Sequence, residues 1–265
     1  MQVTTFASGS SGNCTLLQCG GTNILIDAGI SMKRIKLCLA ERGLLPSDIS
    51  GVFITHEHTD HIKGLKTMTK QFSLPIFAPR TVANHICWSV PGADEVTQII
   101  NPGECLDLSG MSVSSFSTPH DTPQSVGYRF EGDISFGFCT DLGHISDEVY
   151  CALEGVQAAV LESNHDVDML KSGSYPLFLK RRILSENGHL SNDTCARLAV
   201  NLAKSGLETL ILAHISDENN TPGKAIRTVS ATLESECPDC LPVVYVAPKT
   251  DILSVKAERG VRCSV

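Results

Sequence analysis

The segment Thr55-His56-Glu57-His58-Thr59-Asp60-His61 places three imidazoles and an aspartate within six positions, directly after an apolar run. Imidazole nitrogen and carboxylate oxygen suit zinc, manganese, iron and similar first-row dications. Alternate residues of a short loop can face two neighbouring ions, whereas a single ion would leave donors idle. An exposed polar loop is the bland alternative, and packing gives no reason for such a density of donors. Two cations about 3.5 to 4 Å apart can share a water, lower its pKa toward neutrality and stabilise the oxyanion that follows attack. The chemistry expected is metal-dependent hydrolysis.

Short strands are expected at 3–6, 15–19, 23–27 and 52–55, and later at 96–100, 111–117, 125–130, 134–139, 158–161, 209–212 and 243–246. Helical spacing predicts helices at 31–42 and 60–71. A third helix starts at Ser191 or Asn192, buries Cys195, Leu198, Ala199 and Leu202, and ends at Gly206. Strands cluster first and then alternate with helices, which predicts two packed sheets with helices on both outer faces. Ligands distant in sequence can then converge at one edge.

The chain has 265 residues, 42% hydrophobic and 19% charged, and is read as one domain over 1–265. The net charge of −8 argues against a broad basic clamp on nucleic acid, yet bound dications would reverse the field locally, so a nuclease stays open. No apolar run approaches the roughly 18 residues of a membrane span, and no basic leader opens the chain. Eleven scattered cysteines do not form a disulfide framework, which fits a reducing cytoplasm. Cys237 and Cys240 form a lone CxxC that lacks the two further ligands of a structural zinc site.

The pattern His56-x-His58-x-Asp60-His61 resembles the signature of the metallo-β-lactamase superfamily, and Asp27, His120, Asp141 and His214 match its other motifs in order. The resemblance implies an α/β fold, a four-layer αβ/βα sandwich. It implies one ion on His56, His58 and His120, another on Asp60, His61 and His214, and Asp141 bridging them. The ions would be zinc, manganese or iron. Asp27 would hydrogen-bond a ligand imidazole and fix its tautomer. The run Glu186-Asn187-Gly188-His189-Leu190-Ser191 is similar to the Gly-His element of the tRNase Z and RNase J phosphodiesterases. It implies that His189 donates a proton or binds phosphate, and makes Asp60, Asp141 and His189 the catalytic set.

Over its whole length the chain resembles the YycJ/WalJ-type bacterial family through residues 8–14, 55–61, 162–166, 188–192 and 214–220. That resemblance implies a 5'-to-3' exonuclease, with DNA favoured over RNA. The interval between Asp141 and His214 is too short for the inserted β-CASP domain of RNase J, and no arm of the tRNase Z type is visible. The loop Ser8-Gly9-Ser10-Ser11-Gly12-Asn13 is either an anion-binding nest or a hairpin turn. On the first reading Ser8, Ser11 and Asn13 would face substrate. His144 and His165 lie in loops near motif residues, and each is a candidate for a substrate or supporting role. His85 is read as structural, and Asn219 and Asn220 as loop residues near the substrate. Two other functions fit the same metals: a small-molecule hydrolase of lactones, thioesters or β-lactams that would not need His189, and a non-hydrolytic metal-binding regulatory module.

Overall fold

Hydrophobic alternation and turn glycines fold the first third of the chain into a sheet that meets its helices on one face. In the computed structural model, which describes residues 1–260, the first elements are β1 (Gln2–Ala7), β2 (Cys14–Cys19), β3 (Thr22–Ile26) and α1 (Met32–Glu41). There follow β4 (Gly51–Phe53), α2 (Thr59–Ile62), α3 (Leu65–Gln71), β5 (Ile76–Ala78), α4 (Arg80–Ser89) and β6 (Thr97–Ile99). The second half comprises β7 (Cys105–Leu108), β8 (Met111–Ser117), β9 (Val126–Glu131), β10 (Ser135–Cys139), α5 (Asp147–Leu153) and β11 (Ala158–Glu162). It continues with α6 (Val167–Ser172), α7 (Leu177–Ile183), α8 (Asn192–Lys204), β12 (Thr209–Ala213), α9 (Pro222–Glu236), β13 (Val243–Val246) and β14 (Leu253–Lys256).

The strand orders are β14-β1-β2-β3-β4-β5-β6 and β13-β12-β11-β10-β9-β8-β7. Each sheet is antiparallel on one side and parallel on the other, the change falling at β3 and at β10. Between the sheets lie Val3, Ile26, Phe53, Tyr128, Phe130 and Phe136, all buried. A second apolar layer seats α1, α3 and α4 on the first sheet, and a third seats α5, α8 and α9 on the second. This is the expected four-layer αβ/βα sandwich. Between Asp141 and His214 the chain forms only α5, β11 and the helices α6 to α8 before β12, with no inserted domain.

Local chemistry accounts for the boundaries. Ser31 caps α1 and Ser191 caps α8, each side-chain oxygen accepting an N–H of the first turn. The single helix expected over 60–71 is instead two, α2 and α3, broken at Gly64. The Gly64 N–H is bonded to the Ala28 carbonyl at 2.7 Å, and a β-carbon there would press on the Ala28 and Ile30 carbonyls. Among the described cysteines one pair is joined, the local disulfide of Cys237 and Cys240 in the turn after α9. The CxxC spacing brings the two sulfurs together there, far in sequence from the histidines. Cys263 lies outside the described residues. No described helix is long and apolar enough to cross a membrane.

Candidate metal centre

Parallel strands end together, so their C-terminal loops share one edge of the sandwich. Asp27 follows β3, His56 to His61 follow β4, His120 follows β8, Asp141 follows β10 and His214 follows β12. The two sheets are bonded to each other at this edge. The Tyr128 hydroxyl donates to the Ile54 carbonyl at 2.6 Å, and the Val126 N–H to the Thr55 carbonyl at 3.1 Å. The ligand loop is also clamped to the end of β3, through Asp27 N–H to Phe53 O and Ala28 N–H to His61 O, each 2.8 Å.

All seven expected ligands meet. His56, His58 and His120 offer one set of donor atoms, and Asp60, His61 and His214 another, each set lying within 4.8 Å of itself. Asp141 stands between them, with Oδ2 3.4 Å from His61 Nε2 and Oδ1 4.0 Å from His120 Nε2 and 3.4 Å from His214 Nδ1. Asp27 is fully buried; its Oδ2 is 2.8 Å from His61 Nδ1, and its Oδ1 accepts the Thr55 N–H at 2.9 Å. That contact turns His61 Nε2 toward the cluster.

The electrostatics divide the cluster. Burial, and then the surrounding imidazoles, push the His56 pKa well down, and burial lowers that of His120 against the pull of Asp141, a direction that favours the neutral nitrogen a metal needs. Burial also opposes charge on His61 and His214, but Asp27 and Asp141 at the first and Asp141 and Glu162 at the second raise both. Burial raises the Asp60 pKa, and the His61 contact overcomes it, to about 2. Several carboxylates are thus gathered in a low-dielectric pocket that needs positive charge to offset them. Asp141 Oδ2 and His214 Nε2 are buried without a hydrogen-bond partner, an arrangement that metal coordination would complete. The donor set fits one or two divalent cations.

Glu162 was given no role by the sequence, although its segment was singled out. It ends β11 and is fully buried, with Oε1 2.7 Å from His189 Nδ1 and 2.9 Å from His214 Nδ1. Its Oε2 accepts the N–H groups of Leu142 at 3.1 Å and Leu190 at 3.0 Å. Burial lowers the His189 pKa, but the Glu162 charge and hydrogen bond, with Asp141, carry it to about 9. The only sequence signal for Glu162 was its place at the end of an apolar run, like Asp27 and Asp141.

His189 reaches the cluster from the loop before α8, its ring centroid 5.2 Å from that of His120 and 5.3 Å from that of His214. It is one-fifth exposed and borders a cavity of about 160 Å³ that Ser10, Asn164, Arg182 and Ser216 also line. The loop at 8–13 is a turn whose amides are largely used internally. The Ser8, Gly9, Gly12 and Asn13 N–H groups bond Lys249 O, Asn13 Oδ1, Gly9 O and Asp60 O. Ser8 Oγ accepts the His214 N–H at 2.8 Å, and Asn13 Nδ2 lies 3.0 Å from His61 Nε2. Ser11 is exposed, and Ser10 lines the cavity in its place.

Other expected residues fall outside the cluster. His165 is buried beside α8 with neither ring nitrogen bonded, and burial brings its pKa to about 4. His144 is tied to the Glu186 carbonyl at 2.8 Å, and His85 lies on α4 against Trp88. Asn220 is structural: its Nδ2 donates to Ser163 O at 2.9 Å and to Asn164 O at 3.1 Å. Asn219 is buried with its side-chain amide unbonded.

Residues 22–215 match the model of the beta-lactamase superfamily domain. The chain belongs to the metallo-β-lactamase superfamily. It is 34% identical to Exodeoxyribonuclease YycJ of Bacillus anthracis over 89% of this chain and 90% of that protein. With Exodeoxyribonuclease WalJ of Streptococcus pneumoniae it shares 36% identity over 81% of each. The metallo-β-lactamase fold protein YhfI from Bacillus subtilis superposes with a TM-score of 0.70, covering 96% of this chain and 99% of that one. At 16% identity this last likeness shows the fold alone. Superfamily membership and the clustered donors together support a metal-dependent hydrolase.

Proposed function

We propose that this chain is a dinuclear-metal-dependent phosphodiesterase that degrades DNA from the 5' end. The observation that carries the reading is His189, hydrogen-bonded through Nδ1 to the Glu162 carboxylate at the mouth of the cavity beside the metal ligands. An alkoxide leaving a phosphodiester needs a proton, and a positioned acid typically contributes about 10²- to 10⁴-fold. The choice of DNA draws support from the two exodeoxyribonucleases that share about a third of their residues with this chain.

When bound, two divalent cations supply a water of lowered pKa and neutralise charge on the phosphate. His56, His58 and His120 would hold one, Asp60, His61 and His214 the other, with Asp141 shared. Around them Asp27 keeps the His61 tautomer, and Glu162 orients His214 and His189 with one oxygen. His189 hydrogen-bonds Glu162 through Nδ1, which leaves Nε2 to donate to the departing oxygen.

The test compares 5'-labelled with 3'-labelled DNA, duplex and single-stranded, in manganese, zinc and magnesium. Mononucleotides released progressively from the 5' end are expected. Intact DNA under all three metals, together with His189-independent hydrolysis of lactones or thioesters, would replace this reading by a small-molecule hydrolase.

A further inference from the structure

Residues 171–182 contain Lys171, Lys180, Arg181 and Arg182 and no carboxylate, in a chain whose net charge is −8. The α7 helix, which begins in this stretch and ends at Ile183, turns Leu179, Arg182 and Ile183 toward the cavity beside the metal ligands. Its other face carries Leu177 and Phe178, and Leu184 caps its end; the three are 63%, 73% and 44% exposed. Helical spacing aligns Leu177, Arg181 and Leu184, with Phe178 alongside.

The segment is held in place by its own polar groups. Lys180 Nζ donates to the carbonyls of Lys171 at 2.8 Å and Gly173 at 2.7 Å, and the Arg182 guanidinium pairs with Asp121, the neighbour of His120. These bonds hold α7 beside the cavity with its outward face exposed. A surface that joins the exposed Phe178 ring to the Arg181 guanidinium matches a single polynucleotide strand, whose bases stack on rings while its phosphates pair with positive charge. The absence of carboxylates from the segment favours a polyanion over a neutral or basic partner.

We propose that the outward face of α7, centred on Phe178 and Arg181, is the landing surface for the DNA strand whose phosphodiester is cut at the adjoining cluster. Phe178 lies one helical turn before cavity-lining Arg182, so its ring flanks the cavity side of α7, and Arg181 lies further round the same exposed surface. Phe178 stacks a base and Arg181 meets a backbone phosphate. The proposal rests on the phosphodiesterase reading.

Two substrates separate the two ideas. Bis-p-nitrophenyl phosphate reports the chemistry without a strand, and a single-stranded oligonucleotide reports both. Phe178→Ala is expected to keep kcat/KM for the small diester while raising the oligonucleotide KM about ten-fold, with recovery in Phe178→Trp. Arg181→Ala should reduce the salt slope of binding to a phosphorothioate oligonucleotide by roughly 0.7. If the metal-loaded wild type cuts neither substrate, the phosphodiesterase reading falls and takes this surface with it. If it cuts both and these variants bind and cut the oligonucleotide like wild type, only the landing surface is overturned. Self-association abolished by Phe178→Ala, with oligonucleotide binding unchanged, would assign the face to a second copy instead and equally overturn it.

Discussion

Asp27, Asp141 and His214 hold positive φ angles of 60°, 58° and 55°, a left-handed backbone that residues with a β-carbon adopt at a cost of about 1 to 3 kcal/mol. Each is the residue that turns a strand end toward the cluster, so strain and site geometry are the same feature. Asp141→Ala and Asp141→Gly should both abolish hydrolysis. Glycine removes the strain that alanine keeps, so urea unfolding should find Asp141→Gly more stable than Asp141→Ala by about 1 kcal/mol. Equal stabilities would mean that the backbone here is unstrained. Glu162→Gln keeps the shape but loses the charge that protonates His189. DNA cleavage should fall about 10²-fold or more with metal content retained, and unchanged cleavage would remove Glu162 from the account. The ligands at 56–61 were legible because so many donors within six positions have few structural explanations, whereas Asp27, His120, Asp141 and His214 stood out only through the resemblance to the superfamily motifs. Glu162 was not, because one acid closing an apolar run reads like any strand end until His189 and His214 are seen to meet it.

Among elements, the loop from β4 into α2 depends on a close approach that only glycine allows. Gly29 lies directly against the Asp60 carbonyl, where a β-carbon would overlap it. Gly29→Ala should therefore displace Asp60 and His61 and weaken metal binding about ten-fold or more, as loss of ligand support does elsewhere. Wild-type affinity by competitive chelation would show that the loop can shift freely. The link between β11 and the His189 loop has a pH signature in the metal-free protein. His189 rises from 6.5 to about 9 on folding, so its stabilisation is complete below pH 6.5 and lost as pH climbs through 9. Glu162 is displaced downward from 4.5, so its contribution is complete above that pH and lost as pH falls. Between pH 6.5 and 9 the melting temperature should drop more steeply in wild type than in Glu162→Gln; parallel profiles would contradict the coupling. The break at Gly64 escaped the sequence because helical periodicity continues across it. Only the packing of Gly64 on Ala28 shows why two helices form.

For the molecule as a whole, the layered plan was visible in strands that cluster and then alternate with helices, since apolar periodicity reports which faces are covered. β5, β7 and β14 were not foreseen. The first is only three residues long, and β14 acquires its meaning by pairing with β1 from the far end of the chain. The disulfide at Cys237 and Cys240 likewise depends on the turn that brings the sulfurs together. Both halves of the sandwich send ligands to one edge, so the metals should brace the two sheets against each other. Chelation should lower stability by about 4 kcal/mol relative to protein held at a thousand-fold excess over Kd. The most direct test of the central claim is elemental analysis of purified chain dialysed against trace zinc and manganese. Two equivalents of divalent metal per chain are expected, falling sharply in Asp141→Ala. A wild-type protein that retains none would contradict the account.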